Sequence, residues 1–155
     1  MTNTFEEDLL LGKRGEYFIL QRIRAKYPKS QVVNRRFKGY DIYVPETKTR
    51  IECKLDRLSI KTGHIAIEYE YKDTPSGIEG TDADVWALIF YDKDSEHWLW
   101  GFIAKESLAY LCNTRGKKST GGYGRHVKMY LLDTKYIVNS IYMHLYEVKN
   151  EATIL

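Results

Sequence analysis

The 155-residue chain predicts an α/β fold built on a central mixed sheet. Three observations carry that expectation. Apolar residues recur at helical spacing over 5–26. Two strand-like runs, 40–44 and 50–55, are separated by a loop that suits an antiparallel hairpin. Strand-like and helical runs then follow in mixed order, as in a sheet flanked by helices.

The first helix rests on Phe5, Leu9, Leu10, Gly12, Tyr17, Phe18, Leu20, Ile23 and Ala25, and Pro28 stops it. Thr4 with Glu7 three residues on forms a capping box. Strands follow at 32–36, 40–44 and 50–55, the last two joined across Pro45 to Thr49. Residues 64–71 alternate and are rich in β-branched and aromatic types, so they read as a fourth strand. Pro75-Ser76-Gly77 marks a turn. A very short helix is expected at 81–84, running into a strand at 85–91. Another strand covers 97–103, and a short helix covers 104–111 with Lys105 and Glu106 outward. Residues 113–126 read as a flexible basic loop, and 127–132 as a last strand. The pattern over 134–146 fits neither helix nor strand clearly.

Composition fixes the broad class. Hydrophobic residues make up 43% and charged residues 29%, which suits a globular domain that buries a real core. The length suits one domain spanning 1–155. No apolar run reaches the roughly 18 residues of a membrane helix, so no membrane association is expected. The polar, acidic start does not resemble a secretory signal. Cys53 and Cys112 are too few for a disulfide framework or a four-cysteine zinc site. The expected compartment is a reducing cytoplasm.

The net charge is only +3, but it is segregated. Residues 13–38 carry nine Lys/Arg against Glu16 alone. Residues 112–132 carry five and no acid. Residues 66–96 carry nine acids and two bases. A basic face of this kind suits a polyanion such as nucleic acid. Its bland counterpart is a set of solvated helix faces and loops.

The chemistry concentrates in Asp41 and in Glu52-Cys53-Lys54. Strand alternation puts Glu52 and Lys54 on one face, with Ile51 and Cys53 on the other. In a hairpin, Asp41 falls across from residue 53 or 54, within one residue. Two carboxylates and an ammonium then share a patch. The carboxylates repel unless a divalent cation such as Mg²⁺ joins them. Such an ion acidifies water and neutralises phosphate charge. An ordinary surface ion pair is the alternative, since Glu-x-Lys is common.

The pattern Asp41-x10-Glu52-Cys53-Lys54 resembles the signature of the PD-(D/E)xK, or restriction-endonuclease-like, nuclease superfamily. Gly12-Lys13-Arg14-Gly15-Glu16-Tyr17-Phe18 resembles the first helix of its Holliday junction resolvase branch, in which a helix Glu joins the site. The run from Thr62 to Glu68, then Pro75-Ser76-Gly77 and Ala83-Asp84-Val85-Trp86, is similar to phage-encoded members. Tyr40 stands where the motif usually has proline, a position with no catalytic group. The resemblance covers most of 8–130. It implies a restriction-endonuclease-like fold and Mg²⁺-dependent hydrolysis of DNA phosphodiesters, with Mn²⁺ substituting. Asp41, Glu52 and the backbone carbonyl of Cys53 would hold the ion. Lys54 would orient water, and Glu16 would bind a second ion or hold metal-bound water. It further implies recombination chemistry on four-way junctions by a homodimer, in a host cytoplasm if phage-encoded. The alternatives are a restriction or repair nuclease of the same superfamily, or a DNA-binding module that kept the fold without catalysis.

Other residues have two readings each. Glu68 could be an outer-shell or metal carboxylate if its strand lies beside Glu52. Otherwise Glu68 and Glu70 are solvated, or pair with Lys61 or Lys72. Lys13, Arg14, Arg35, Arg36 and Lys38 flank the proposed site and suit phosphates. So do Arg115, Lys117, Lys118 and Arg125 in the glycine-rich segment, where Tyr123 could stack on a base. The alternative there is a mobile solvated loop. The four histidines lack metal-ligand spacing, and Cys53 is expected to pack in the core.

Overall fold

The structure is a computed structural model and describes residues 4–33, 39–92, 94 and 97–147. The chain begins in α1 (Thr4–Arg24). The amides of Lys26 and Tyr27 both reach the Ile23 carbonyl, at 3.0 and 2.8 Å, and close the helix ahead of Pro28. Its apolar face is narrower than the periodicity suggests. Phe18, Ile19, Leu20 and Ile23 are buried, while Leu9, Leu10 and Tyr17 are more than half exposed. The capping box rests on a Thr4 side chain that lies outside the described residues.

Three strands follow: β1 (Gln31–Val32), β2 (Ile42–Val44) and β3 (Thr49–Asp56). The expected hairpin is present, with Ile42 paired to Ile51 and Val44 to Thr49. The rest of the strand expected at 32–36 lies outside the described residues beyond Val33. Next come α2 (Ser59–Thr62), β4 (His64–Tyr71), β5 (Thr74–Pro75) and α3 (Gly77–Gly80). The chain continues through β6 (Val85–Phe90), β7 (His97–Ala104) and α4 (Lys105–Arg115). It ends with β8 (Lys117–Gly121), β9 (Val127–Asp133), α5 (Thr134–Val138) and β10 (His144–Glu147).

The strands form two sheets rather than one. The larger is mixed, in the order β1-β2-β3-β6-β7-β10, with β6 parallel to β3 and the other pairs antiparallel. The smaller is antiparallel, in the order β5-β4-β9-β8. Alternation along β6 explains the layering. Ala87 and Ile89 face α1 and pack with Phe18, Ile19, Ile42, Ile51, Trp98 and Trp100. Trp86, Leu88 and Phe90 face the other way, onto Ile65, Ile67 and Leu132 of the smaller sheet and onto α3, α4 and α5. The large sheet is therefore buried on both faces, which suits the continuous apolar run of β6. This is a mixed α/β domain with five α-helices among the described residues. Among the described residues, no helix is long and apolar enough to cross a membrane.

Two sequence expectations need correcting. The short helix lies at Gly77–Gly80, not 81–84. Thr81 mimics a helix start because its hydroxyl accepts from the Ala83 amide at 3.0 Å, a local turn that competes with helix. Gly77 has φ +50°, and a Cβ there would lie 2.1 Å from the Glu68 carbonyl oxygen, so α3 can begin only at glycine. The segment 113–126 is not a loop throughout. Helix α4 runs to Arg115, and Lys117–Gly121 pairs with Val127–Leu131 of β9, leaving only 122–126 as a turn.

Candidate active site

The proposed site sits where β2 leaves β3. Their last ladder pair is Ile42 with Ile51, and Asp41 lies one residue beyond it, with its side chain against the backbone of Cys53, within the expected range. The Asp41 amide still donates to the Ile51 carbonyl at 2.9 Å, and the Asp41 carbonyl accepts from Val33 at 2.8 Å. Beyond this point the Asp41 side chain replaces the departing strand: its Oδ2 accepts from the Cys53 amide at 2.8 Å. A strand residue's N–H and C=O point toward the same neighbour. The Cys53 carbonyl therefore faces the same opened edge, beside Asp41. The other edge of β3 is closed by β6, whose register runs from Ile51–Val85 to Asp56–Phe90.

Several contacts fix the Asp41 backbone. The Gly39 carbonyl accepts from the Asp82 amide at 3.0 Å and the Thr81 hydroxyl at 3.2 Å. Arg50 clamps the start of β3 to β6. Its backbone amide donates to Asp84 Oδ2 at 2.9 Å, and its guanidinium donates to both Asp84 oxygens at 3.2 and 3.0 Å. The Asp84 amide returns a bond to the Arg50 carbonyl at 2.8 Å. Nothing in the sequence signals the Arg50–Asp84 clamp or the Thr81–Gly39 tie, because their partners lie 34 and 42 residues apart.

Glu16 reaches this edge because α1 lies close against β3. Its neighbour Gly15 is buried, and a Cβ there would sit 3.3 Å from two Leu55 side-chain carbons and 3.4 Å from Ile89 Cδ1. Gly15→Val should wedge the helix away and cost about 1–3 kcal/mol. That corresponds to a melting temperature several degrees lower at this chain length. An unchanged thermal melt would contradict the close approach.

The electrostatics report the convergence. Burial pushes the Glu52 carboxyl up to about 8, with further pushes from the negative charges of Asp41 and Glu16 and an opposing pull from Lys54. Burial also raises Asp41, against the stabilising Cys53 amide bond. The Cys53 thiol is pushed up by burial, then by Asp41, Glu16 and Glu52, so it does not supply a thiolate. Asp41, Glu16 and Lys54 thus all act on Glu52. Among the described residues, no three His, Cys, Asp or Glu side chains form a ready-made metal cage. Mg²⁺ needs no such cage, because one or two carboxylates, waters and a substrate phosphate complete its shell. A crowded, half-buried carboxylate pair with an adjacent carbonyl fits that ion.

Other expected residues fall elsewhere. Glu68 is not beside Glu52, since β3 is flanked by β2 and β6, and β4 by β5 and β9. A bulge separates Glu68 from Glu70, so the two do not follow simple alternation. Glu70 pairs with Lys128 at 2.6 Å, not with Lys61 or Lys72, while Lys61 holds Asp94 at 3.0 Å. Lys13 and Arg14 lie on α1, three and two residues before Glu16. Arg35, Arg36 and Lys38 lie outside the described residues, as does the Tyr123 side chain. Arg115, Lys117, Lys118 and Arg125 are all exposed along the α4–β8–β9 segment. Lys118 sits 5.6 Å from the Tyr69 ring centre and Arg115 5.5 Å from that of Tyr136.

No protein-family model matches the chain, and no curated protein matches it in sequence.

Proposed function

We propose that this protein is a Mg²⁺-dependent DNA endonuclease of restriction-endonuclease-like fold, acting on branched DNA such as a four-way junction. The observation that carries the reading is the Asp41 side chain bonded to the Cys53 amide, close enough to act on Glu52, at the edge where β2 departs. Asp41, Glu52 and the Cys53 carbonyl would hold the ion, with Glu16 holding a second ion or an ordered water. Mg²⁺ bound there, or Mn²⁺ in its place, would acidify a water and neutralise phosphate charge. Lys54 supplies a fixed positive charge that orients the attacking water and offsets charge growing on the phosphate oxygens. Asp41 and Arg50 hold β3 in register, so these groups need not reorganise. Lys13, Arg14, Arg115, Lys117, Lys118 and Arg125 suit backbone phosphates, which position DNA without reading sequence. Two copies would cut the two strands of a junction symmetrically.

The test compares cleavage of a four-way junction and a linear duplex by the purified protein in Mg²⁺. The reading expects much faster cutting of the junction. Equal rates would remove the branched-DNA preference and leave a nuclease of restriction or repair type. Binding without cutting, in Mg²⁺ and in Mn²⁺, would leave only a DNA-binding module. Binding itself should weaken steeply with salt, because phosphate contacts release counterions.

A further inference from the structure

A groove of about 540 Å³ lies just past the end of the proposed site. Leu58, Ala66, Leu131 and Tyr136 give it an apolar lining, and Arg115 and Lys117 bring charge. Asp56 and Leu58 line it too, and also line a hollow of about 200 Å³ beside Gly12 and Leu55. Asp56 is two residues beyond Lys54, about 6.8 Å along β3. That is about two nucleotide rises along a DNA strand.

The groove carries two acids, Asp56 and Asp133, and two cations, Arg115 and Lys117. Its two acids are already engaged. Asp56 Oδ1 accepts from the amides of Leu58 and Ser59 at 3.0 and 2.7 Å. Asp133 Oδ1 accepts from the Lys135 amide at 3.0 Å, and its Oδ2 lies 3.7 Å from Lys135 Nζ. Among the described residues, Arg115 and Lys117 pair with no carboxylate. Arg115 instead lies over the Tyr136 ring. An aromatic and aliphatic lining beside two cations that no described carboxylate pairs matches a base joined to its phosphate.

Leu58 adds a second observation. Its side chain is 61% exposed, yet its backbone is firmly held. Its amide is bound by Asp56, and its carbonyl accepts from Lys61 and Thr62 at 3.0 and 2.9 Å. A large apolar side chain on a fixed backbone can press between bases without collapsing onto its own protein.

We propose that this groove takes one unpaired nucleotide of the DNA next to the cut. Its base rests on Tyr136, Leu131 and Leu58, and its phosphate on Arg115 and Lys117. The proposal rests on the nuclease reading and deepens it. Preference for branched DNA then arises from capture of a nucleotide that a paired duplex cannot release cheaply.

The experiment measures equilibrium binding in EDTA, where no cleavage occurs. Two duplexes of equal length are compared, one fully paired and one with a single unpaired thymidine. The unpaired form should bind at least about 10-fold tighter, a difference of about 1.4 kcal/mol. Leu58→Asp and Lys117→Glu alter exposed side chains and should each shrink that ratio to within about 3-fold. A 4-thiothymidine at the unpaired position should cross-link to peptides containing residues 58–66 or 131–136. Equal affinity for both duplexes, an undiminished ratio in Leu58→Asp, or cross-links confined elsewhere would overturn the groove while leaving the cutting site intact. Failure to bind either duplex would overturn both.

Discussion

Glu52→Gln is expected to lower cleavage of junction DNA by about three orders of magnitude, equivalent to about 4 kcal/mol of barrier. The fold should survive, because the change is nearly isosteric and removes a charge that burial and two acidic neighbours already disfavour. Lys54→Ala should show a similar loss of rate, and its binding to DNA should fall far less. The contrast matters. A residue that merely adds positive field to the surface would lose affinity and salt dependence together. A residue that acts on the reacting phosphate loses rate at saturating DNA. Wild-type rates in Glu52→Gln would reduce the Asp41–Glu52 edge to a structural feature.

Stability of the metal-free protein should fall as pH rises from about 5 to about 8. The sign follows from the raised Glu52 carboxyl. Its ordinary value is 4.5, and in the fold it stands at about 8. Between those values the unfolded chain has released the proton that the folded chain still holds. Stability therefore drops with rising pH, by about 1 kcal/mol per unit from this one group. Below 4.5 the full benefit is present, and above about 8 it is gone. Asp41 is also raised and adds in the same direction. Asp84 is lowered by Arg50, but its effect lies below pH 3.8, outside that window. Glu52→Gln should flatten the profile. Mg²⁺ should recover stability at pH 8 more than at pH 5, since it binds the ionised pair. Denaturant melts at several pH values check both. A profile that rises between pH 5 and 8 and is unaltered in Glu52→Gln would contradict the assignment.

The parts of this site that were legible in the sequence are local. The hairpin over 40–55 follows from its turn and alternation, and a two-residue period fixes which face Glu52 and Lys54 share. The meeting of Asp41 with residue 53 was legible because the loop left little freedom. The second sheet was not legible. Strand β4 pairs with β9 some 60 residues later, and alternation alone does not choose a partner. Residues 117–121 illustrate the same limit. Their Lys, Ser, Thr and Gly composition reads as loop, and pairing with β9 overrides it. Glu68 depended on β4 lying next to β3, which the β3–β6 crossover prevents. Gly15 was the informative residue left unused: a glycine next to Glu16 inside a helix costs stability unless something must come close. Leu58 and Tyr136 carried no signal, because a groove assembled from β3, α2, β4, α4, β8, β9 and α5 has no linear pattern.

The most direct single measurement is calorimetric titration of the metal-free protein with Mn²⁺ at pH 7, in two buffers of different ionisation enthalpy. Glu52 holds its proton there, so ion uptake at the β3 edge should release about one proton per site, and Glu52→Gln should abolish both the release and the tight binding. Uptake with no proton released, or undiminished uptake in Glu52→Gln, would contradict a divalent-ion centre at Asp41 and Glu52.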